Sequence, residues 1–427
     1  MTGKTLAVGA AVGLGLAAAL ATAATQRDDA FGESRDHPAI AYTATAPDDA
    51  VARLNRRLAS GDVTLRFDPR HGYLGSVLEA LGVPVSSQVL VYSQTSFQAP
   101  LITFEQPRAL FFTDEVAVGW VPPGEVLEVS ALDPRQGTIY YELRQTPEAA
   151  PRFTRNDRCL ACHISWDTRA VPGPLVQTAF PRRHDREYAN GFVVDHRVPL
   201  DERWGGWFVT GRRTPPAHVG NQALIQPALT GRASRPRALT VVEGLPEGAG
   251  YLAGTSDVVA LMVLDHQAHL TNLLTRAGWE ARVAVHDGWL AANASTATLP
   301  PRVQQAVDEL ADYMLFVDEA PIAGRIEGGS GFAEWFSAQG PRDAKGRSLR
   351  DLQLEGRLMR HPLSYMIYTA AFDALPPVVK QAVYRRLGAV LAGDDAAPKY
   401  RHLTPAVRQA VREILRETKP DLPADLR

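Results

Sequence analysis

Asn156-Asp157-Arg158-Cys159-Leu160-Ala161-Cys162-His163 stands at the junction of two differently patterned halves of this 427-residue chain. On its amino-terminal side, the runs at 63–67, 88–92, 109–112, 116–121, 126–129 and 137–143 are short and rich in β-branched and aromatic residues. Pro and Gly separate them, which predicts an antiparallel sheet or small sandwich. An amphipathic helix, spaced by Val51, Leu54 and Leu58, is expected just before them. On its carboxy-terminal side, apolar residues recur at helical spacing over 256–276, 301–317, 348–360, 365–374, 377–392 and 405–418, several with Pro near the first turn. The expected class is therefore α+β, with a strand-rich amino-terminal region, a central segment around the quoted motif and a mainly α-helical carboxy-terminal domain. The corresponding boundaries are 1–24 for a leader, 25–47 for a linker, 48–148 for the strand-rich domain, 149–237 for the attachment segment with an Arg/Gly/Pro-rich wrap, and 238–427 for the helical domain. The cluster Gly328-Gly329-Ser330-Gly331 lacks the Lys and Ser/Thr of a phosphate loop, so a turn is expected there.

Cys159 and Cys162 are the chain's two cysteines. On a helical turn, cysteines three apart lie on one side, where each can form a thioether to a haem vinyl group, and the adjacent His163 can present a ring nitrogen to iron. Cys-x-x-Cys-His is the attachment pattern for covalent haem c, so one haem per chain is expected, with His163 as the proximal iron ligand. Asn156 or Asp157 would cap the turn. Three other readings compete. A zinc site would need two distant ligands besides the cysteines, a thiol-disulfide centre would need a lowered thiol pKa, and an inert pair needs nothing.

Composition narrows the setting. Apolar residues make up 45% of the chain and charged residues 22%, so the whole is globular. The 45 Lys+Arg against 47 Asp+Glu give a net charge of −2, which offers no global field for nucleic acid. A lone basic flank at Lys4, an apolar stretch over 6–20 and Ala21-Thr22-Ala23 read as a secretory signal, so the protein is expected to be exported, periplasmic or the equivalent, and either soluble or tethered to the membrane by its amino terminus. Two closely spaced cysteines stabilise almost nothing as a disulfide in a chain of this size.

Through Cys159, Cys162 and His163 the chain resembles c-type cytochromes. Arg203-Trp204-Gly205-Gly206-Trp207-Phe208-Val209-Thr210-Gly211, Gly331-Phe332-Ala333-Glu334-Trp335-Phe336 and Gly346-Arg347-Ser348-Leu349 also resemble a family of exported monohaem proteins, over most of the mature chain. That resemblance implies haem binding and no particular reaction. Dihaem cytochrome c peroxidases carry two attachment motifs where this chain has one. Small cytochromes c place a methionine ligand some tens of residues after the motif, whereas here no Met lies between Met1 and Met262.

The sixth iron position is therefore open to several candidates. His184, His196 and His218 follow the motif, and His218, in a loop after Trp204 and Trp207, is the first choice among them. Met262, His266 and His269 are spaced to share one helix face. A third region holds His361, Tyr365 and Met366. Two strong protein ligands favour electron transfer, while an open distal face permits peroxide or oxygen chemistry. Between 180 and 237 the chain has ten Arg against five Asp+Glu, so Arg182, Arg183, Arg203, Arg212 and Arg213 are candidate partners for haem propionates. The expected activity is one-electron transfer with a redox partner protein or small oxidant. A peroxidase- or oxidase-like enzyme and a thiol-disulfide protein are the alternatives.

Overall fold

In a computed structural model of the chain, residues 32–179, 191–222, 250–291, 298–423 and 426 are described. The expected leader at 1–24, Arg182, Arg183 and His184, and part of the Arg-rich wrap lie outside them. Asp49 starts helix α1 (Ala50–Ser60), its Oδ1 accepting from the amides of Val51 and Ala52, and Gly61 ends it at φ 81°. The other carboxylate oxygen of Asp49 accepts from the Tyr141 hydroxyl at 2.6 Å, which ties the helix to the sheet. Helix α2 (Leu74–Leu81) follows. The run 63–67 forms no strand. It lies beside α2 instead, with the Arg66 amide donating to Ser76 Oγ at 2.9 Å.

Strands β1 (Val89–Val91), β2 (Arg108–Phe112), β3 (Val116–Trp120), β4 (Val126–Asp133), β5 (Gly137–Arg144) and β6 (Thr154–Arg155) form one antiparallel sheet in chain order. Their register puts Phe111, Val118, Val129 and Tyr141 in one row, and this face is buried against α1 and α2. The opposite face is divided. Phe112 and Leu132 are buried in the core that the long helix enters, while Arg108, Leu110, Ala117, Glu128, Ser130 and Glu142 remain half-buried. The motif turn, a 3₁₀ turn at Asp157–Cys159 running into helix α3 (Leu160–His163), follows β6 directly, and strands β7 (Gln177–Thr178) and β8 (Phe192–Val193) pair beyond it.

Helix α4 (Val258–His286) has 29 residues, about 43 Å of helix, and is longer than its expected span. Nearly every side chain over its first five turns is buried, as expected for a helix apolar around most of its circumference that crosses the centre of the molecule. Helix α5 (Pro301–Met314) packs along it. Strand β9 (Ile322–Arg325), helix α6 (Phe332–Ala338), strand β10 (Leu352–Met359), helix α7 (Ala370–Asp373), helix α8 (Pro377–Ala392) and helix α9 (Pro405–Thr418) complete the order. The expected helix over 348–360 is therefore a correction: its centre is β10, paired antiparallel with β9. A bulge between Glu355 and Gly356, with Gly356 at φ 75°, breaks the ladder. Leucines at 352, 354 and 358 fit a two-residue and a four-residue repeat equally, and β9 decides between them. The expected helix over 365–374 is split at Thr369, whose hydroxyl accepts from the Phe372 amide at 3.3 Å and starts α7.

The sheet lies between two buried clusters, one with α1 and α2 and one with the carboxy-terminal helices. Val89, Val91, Phe112 and Leu132 belong to the same buried cluster as α4, α5 and α8. No helix among the described residues is long and apolar enough to cross a membrane.

The Gly328–Gly331 turn holds an anion after all, and the anion is a side chain of the protein. Asp257, the cap of α4, accepts at Oδ1 from the amides of Val259 and Ala260, and at Oδ2 from those of Gly329 and Ser330 at 2.8 and 2.9 Å. A Cβ at Gly328 would stand 2.8 Å from both carboxylate oxygens. Replacing Asp257 by Ala leaves four amides without their acceptor, and we expect a loss of at least about 2 kcal/mol in urea unfolding. Asp257→Asn, which keeps one oxygen, should lose less.

Candidate haem-attachment site

Asn156 caps the motif turn, its Oδ1 accepting from the Arg158 amide at 3.0 Å, and Leu160 anchors the turn in the core at 4% exposure. The cysteines are free thiols, Cys159 half-buried and Cys162 exposed. Burial, with Glu128 and Glu142 nearby, pushes the Cys159 thiol up to about 12.

His163 is held from behind. Its Nδ1 is 3.0 Å from the carbonyl oxygen of Gly173, and the Gly173 amide returns a hydrogen bond to the His163 carbonyl at 2.9 Å. A carbonyl can only accept, so Nδ1 carries the proton and the lone pair is on Nε2, the atom available to a metal. Burial lowers the pKa of His163, which keeps the ring neutral. The same carbonyl accepts from the Tyr140 hydroxyl at 2.8 Å, and the rings of Tyr140 and His163 lie 4.7 Å apart. On its other side Gly173 meets α4. A Cβ there would come within 1.8 Å of Asn272 Oδ1, while Asn272 Nδ2 donates to the Pro174 carbonyl at 3.0 Å. Tyr140, Gly173 and Asn272 were not singled out in the sequence. The local signal for it in the sequence is Pro172-Gly173-Pro174, a run that can continue neither a helix nor a strand.

Two large apolar side chains are exposed near the motif. Trp166 is 79% exposed and Phe97 50%, with the Arg158 guanidinium 4.8 Å over the Phe97 ring. Phe97 belongs to a loop fastened to the half-buried sheet face, where Ser96 Oγ donates to Glu128 Oε1 at 2.6 Å and Arg108 pairs with Glu128 at 3.0 Å.

The expected distal ligands fall elsewhere. Met262 is core, at 2% exposure. His266 is fully buried, and both of its ring nitrogens are engaged, Nδ1 with His196 Nδ1 and Nε2 with Ser364 Oγ, each at 2.8 Å. Ser364 Oγ also accepts from the Met366 amide at 3.3 Å. One imidazole of the His196–His266 pair donates to the other, and His196 Nε2 has no partner among the described residues. His218 is 3% exposed, edge-on to Trp204, and its Nδ1 accepts from the Gly220 amide at 3.1 Å. Trp204 Nε1 donates to Asp265, which lies seven residues from Asn272, about 10 Å along α4 from where the His163 support meets that helix. Met262 and His266 are thus committed to the core, and the structure does not bring either of them, or His218, to His163.

Arg203 is not a surface cation. It is 3% exposed and pairs with the fully buried Asp265 at 3.2 Å while also donating to the carbonyls of Val198 and His196. Arg212 and Arg213 are exposed beside Glu327. Asp195 and His269 extend the buried polar cluster, and the exposed Arg197 closes it from the surface, pairing with Asp195 and donating to His269 Nε2 at 3.2 Å. No protein-family model, curated protein or solved structure matches the chain.

Two outcomes follow from this packing. In Gly173→Ala the new methyl must displace Asn272, with an expected loss of about 1–3 kcal/mol in urea unfolding, part of which a second Asn272→Ala substitution recovers. The buried histidines also set a pH dependence. Burial holds His218 and His269 down to about 4 and His266 to about 3, with His196 lowered as well, against about 6.5 in the unfolded chain. These groups take up protons only on unfolding, so the stability they contribute above about pH 6.5 is lost as pH falls toward 4. Burial raises Asp265 to about 6 and Glu319 to about 7, and raises Asp49 and Glu115 as well, which acts in the opposite direction, but these four acids are outnumbered by six histidines once His163 and His361, also lowered by burial, are included. Urea unfolding at pH 7, 6 and 5 should show falling stability, with a shallower fall in His269→Gln.

Proposed function

We propose that this chain is an exported monohaem protein of the c type, with haem c held by thioethers at Cys159 and Cys162 and by His163 Nε2 as proximal ligand, and that it transfers single electrons to or from a redox partner protein or small oxidant. The observation that carries the reading is the bond from His163 Nδ1 to the Gly173 carbonyl, which leaves Nε2 as the ligand atom beside two unpaired thiols. The exposed Trp166 and Phe97 supply apolar surface that a bound macrocycle would cover. Bound there, the group supplies a one-electron iron couple. The resemblance to c-type cytochromes and to an exported monohaem family points the same way, as does the leader-like segment at 1–24.

The engagement of Met262 and His266 in the core favours a second reading, an open distal face and an enzyme acting on peroxide or another small oxidant. The thiol-disulfide reading is disfavoured, because a Cys159 thiol pushed up to about 12 is a poor nucleophile at neutral pH.

Expression with a cytochrome c maturation system should give a c-type pyridine haemochrome that is lost in Cys159→Ala/Cys162→Ala. A low-spin ferric spectrum unmoved by cyanide supports electron transfer. A high-spin spectrum that shifts with cyanide supports the enzyme. Protein without haem and with two alkylatable thiols refutes both.

A further inference from the structure

The carboxy-terminal end of α4 carries a second group of ligand atoms, separate from the attachment motif. His286 is the last residue of the helix and Asp287 caps it, and His37 reaches them from the segment ahead of α1. His286 Nδ1 lies 3.0 Å from Asp287 Oδ1, and His37 Nε2 lies 3.3 Å from the same oxygen. The two imidazoles meet edge to face, with centroids 5.1 Å apart and planes at 80°. In a tetrahedral site with bonds of about 2.0–2.1 Å, neighbouring ligand atoms stand about 3.3 Å apart. Both separations are near that edge length, and the three ligand atoms all lie within 4.8 Å of one another.

We infer that His37, His286 and Asp287 bind one divalent transition-metal ion of the Zn²⁺ class, with a fourth position open to water, and that the ion clamps the amino-terminal segment onto the end of α4. Two imidazole nitrogens and one carboxylate oxygen form a donor set that suits zinc, copper or nickel and not calcium or magnesium. The site lies at the negative end of a 29-residue helix, which favours a cation. His286 is the most exposed of the three, at 48% of its side chain against 21% and 25% for His37 and Asp287, so water has access to the remaining position. Without metal, the same distances serve as hydrogen bonds from both rings to Asp287. His37 Nδ1 then accepts from the Ala39 amide at 3.2 Å. A metal on Nε2 puts the ring proton on Nδ1 and releases that amide, so the site binds less tightly than a fully preformed one.

Calorimetric titration of Zn²⁺ into the full chain carrying Cys159→Ser and Cys162→Ser removes competition from the motif thiols. It should read one ion per chain. Adding His37→Ala or His286→Ala should weaken binding roughly tenfold or more, while His71→Ala, at the separate His71–Asp68 pair, should leave it unchanged. Zn²⁺ should raise the melting temperature of the parent and not of the His37 or His286 variants, whose folding circular dichroism confirms. No saturable binding, or binding undiminished in both histidine variants, overturns the assignment. Because the cysteines are absent, that result is independent of whether the chain carries haem.

Discussion

The carbonyl oxygen of Gly173 joins the parts of this molecule. It accepts from His163 of the motif and from Tyr140 of β5, while the glycine itself lies against Asn272 of α4 at a distance no side chain would allow. Sheet, motif and long helix therefore converge on one peptide group. The consequence for chemistry is a fixed tautomer. A ring that must donate from Nδ1 presents Nε2, and a ring packed at a tilt against a buried tyrosine does not turn freely.

The long helix supports this arrangement at a cost. Much of α4 is apolar core, but Asp265, His266, His269 and Asn272 are polar and buried, and each has to be paired from elements far away in sequence. Arg203 and Trp204 serve Asp265, His196 and Ser364 serve His266, and Arg197 serves His269. Removing one member would strand another in a dry interior, so the cluster specifies which loops lie on the helix. It also draws His196, His266 and His269, three of the candidate iron ligands, into its own pairing.

The strands from Arg108 to Arg144 were readable because each is short, β-branched and bounded by turn residues, and helices such as Pro377–Ala392 and Pro405–Thr418 because a proline starts them and apolar spacing continues them. The failures have local causes. Around Leu352–Met359 the leucine spacing fitted helix and strand alike, and pairing with Ile322–Arg325 settled it. At 63–67 a strand-like composition had no neighbour to pair with. Helix α2 and helix α6 are too short for their periodicity to stand out.

For the site, the sequence by itself determined the ligand types and their spacing, since Cys159, Cys162 and His163 must share one turn whatever surrounds them. Capping by Asn156 was equally local. Only the tertiary structure decided which nitrogen of His163 is free, because that depends on a carbonyl ten residues away held between a strand and a helix. It also decided that Met262 and His266 belong to the core and that Arg203 belongs to Asp265. Residue type and spacing act over a helical turn, whereas burial and hydrogen-bond partners arise from surfaces that meet only when distant segments pack together.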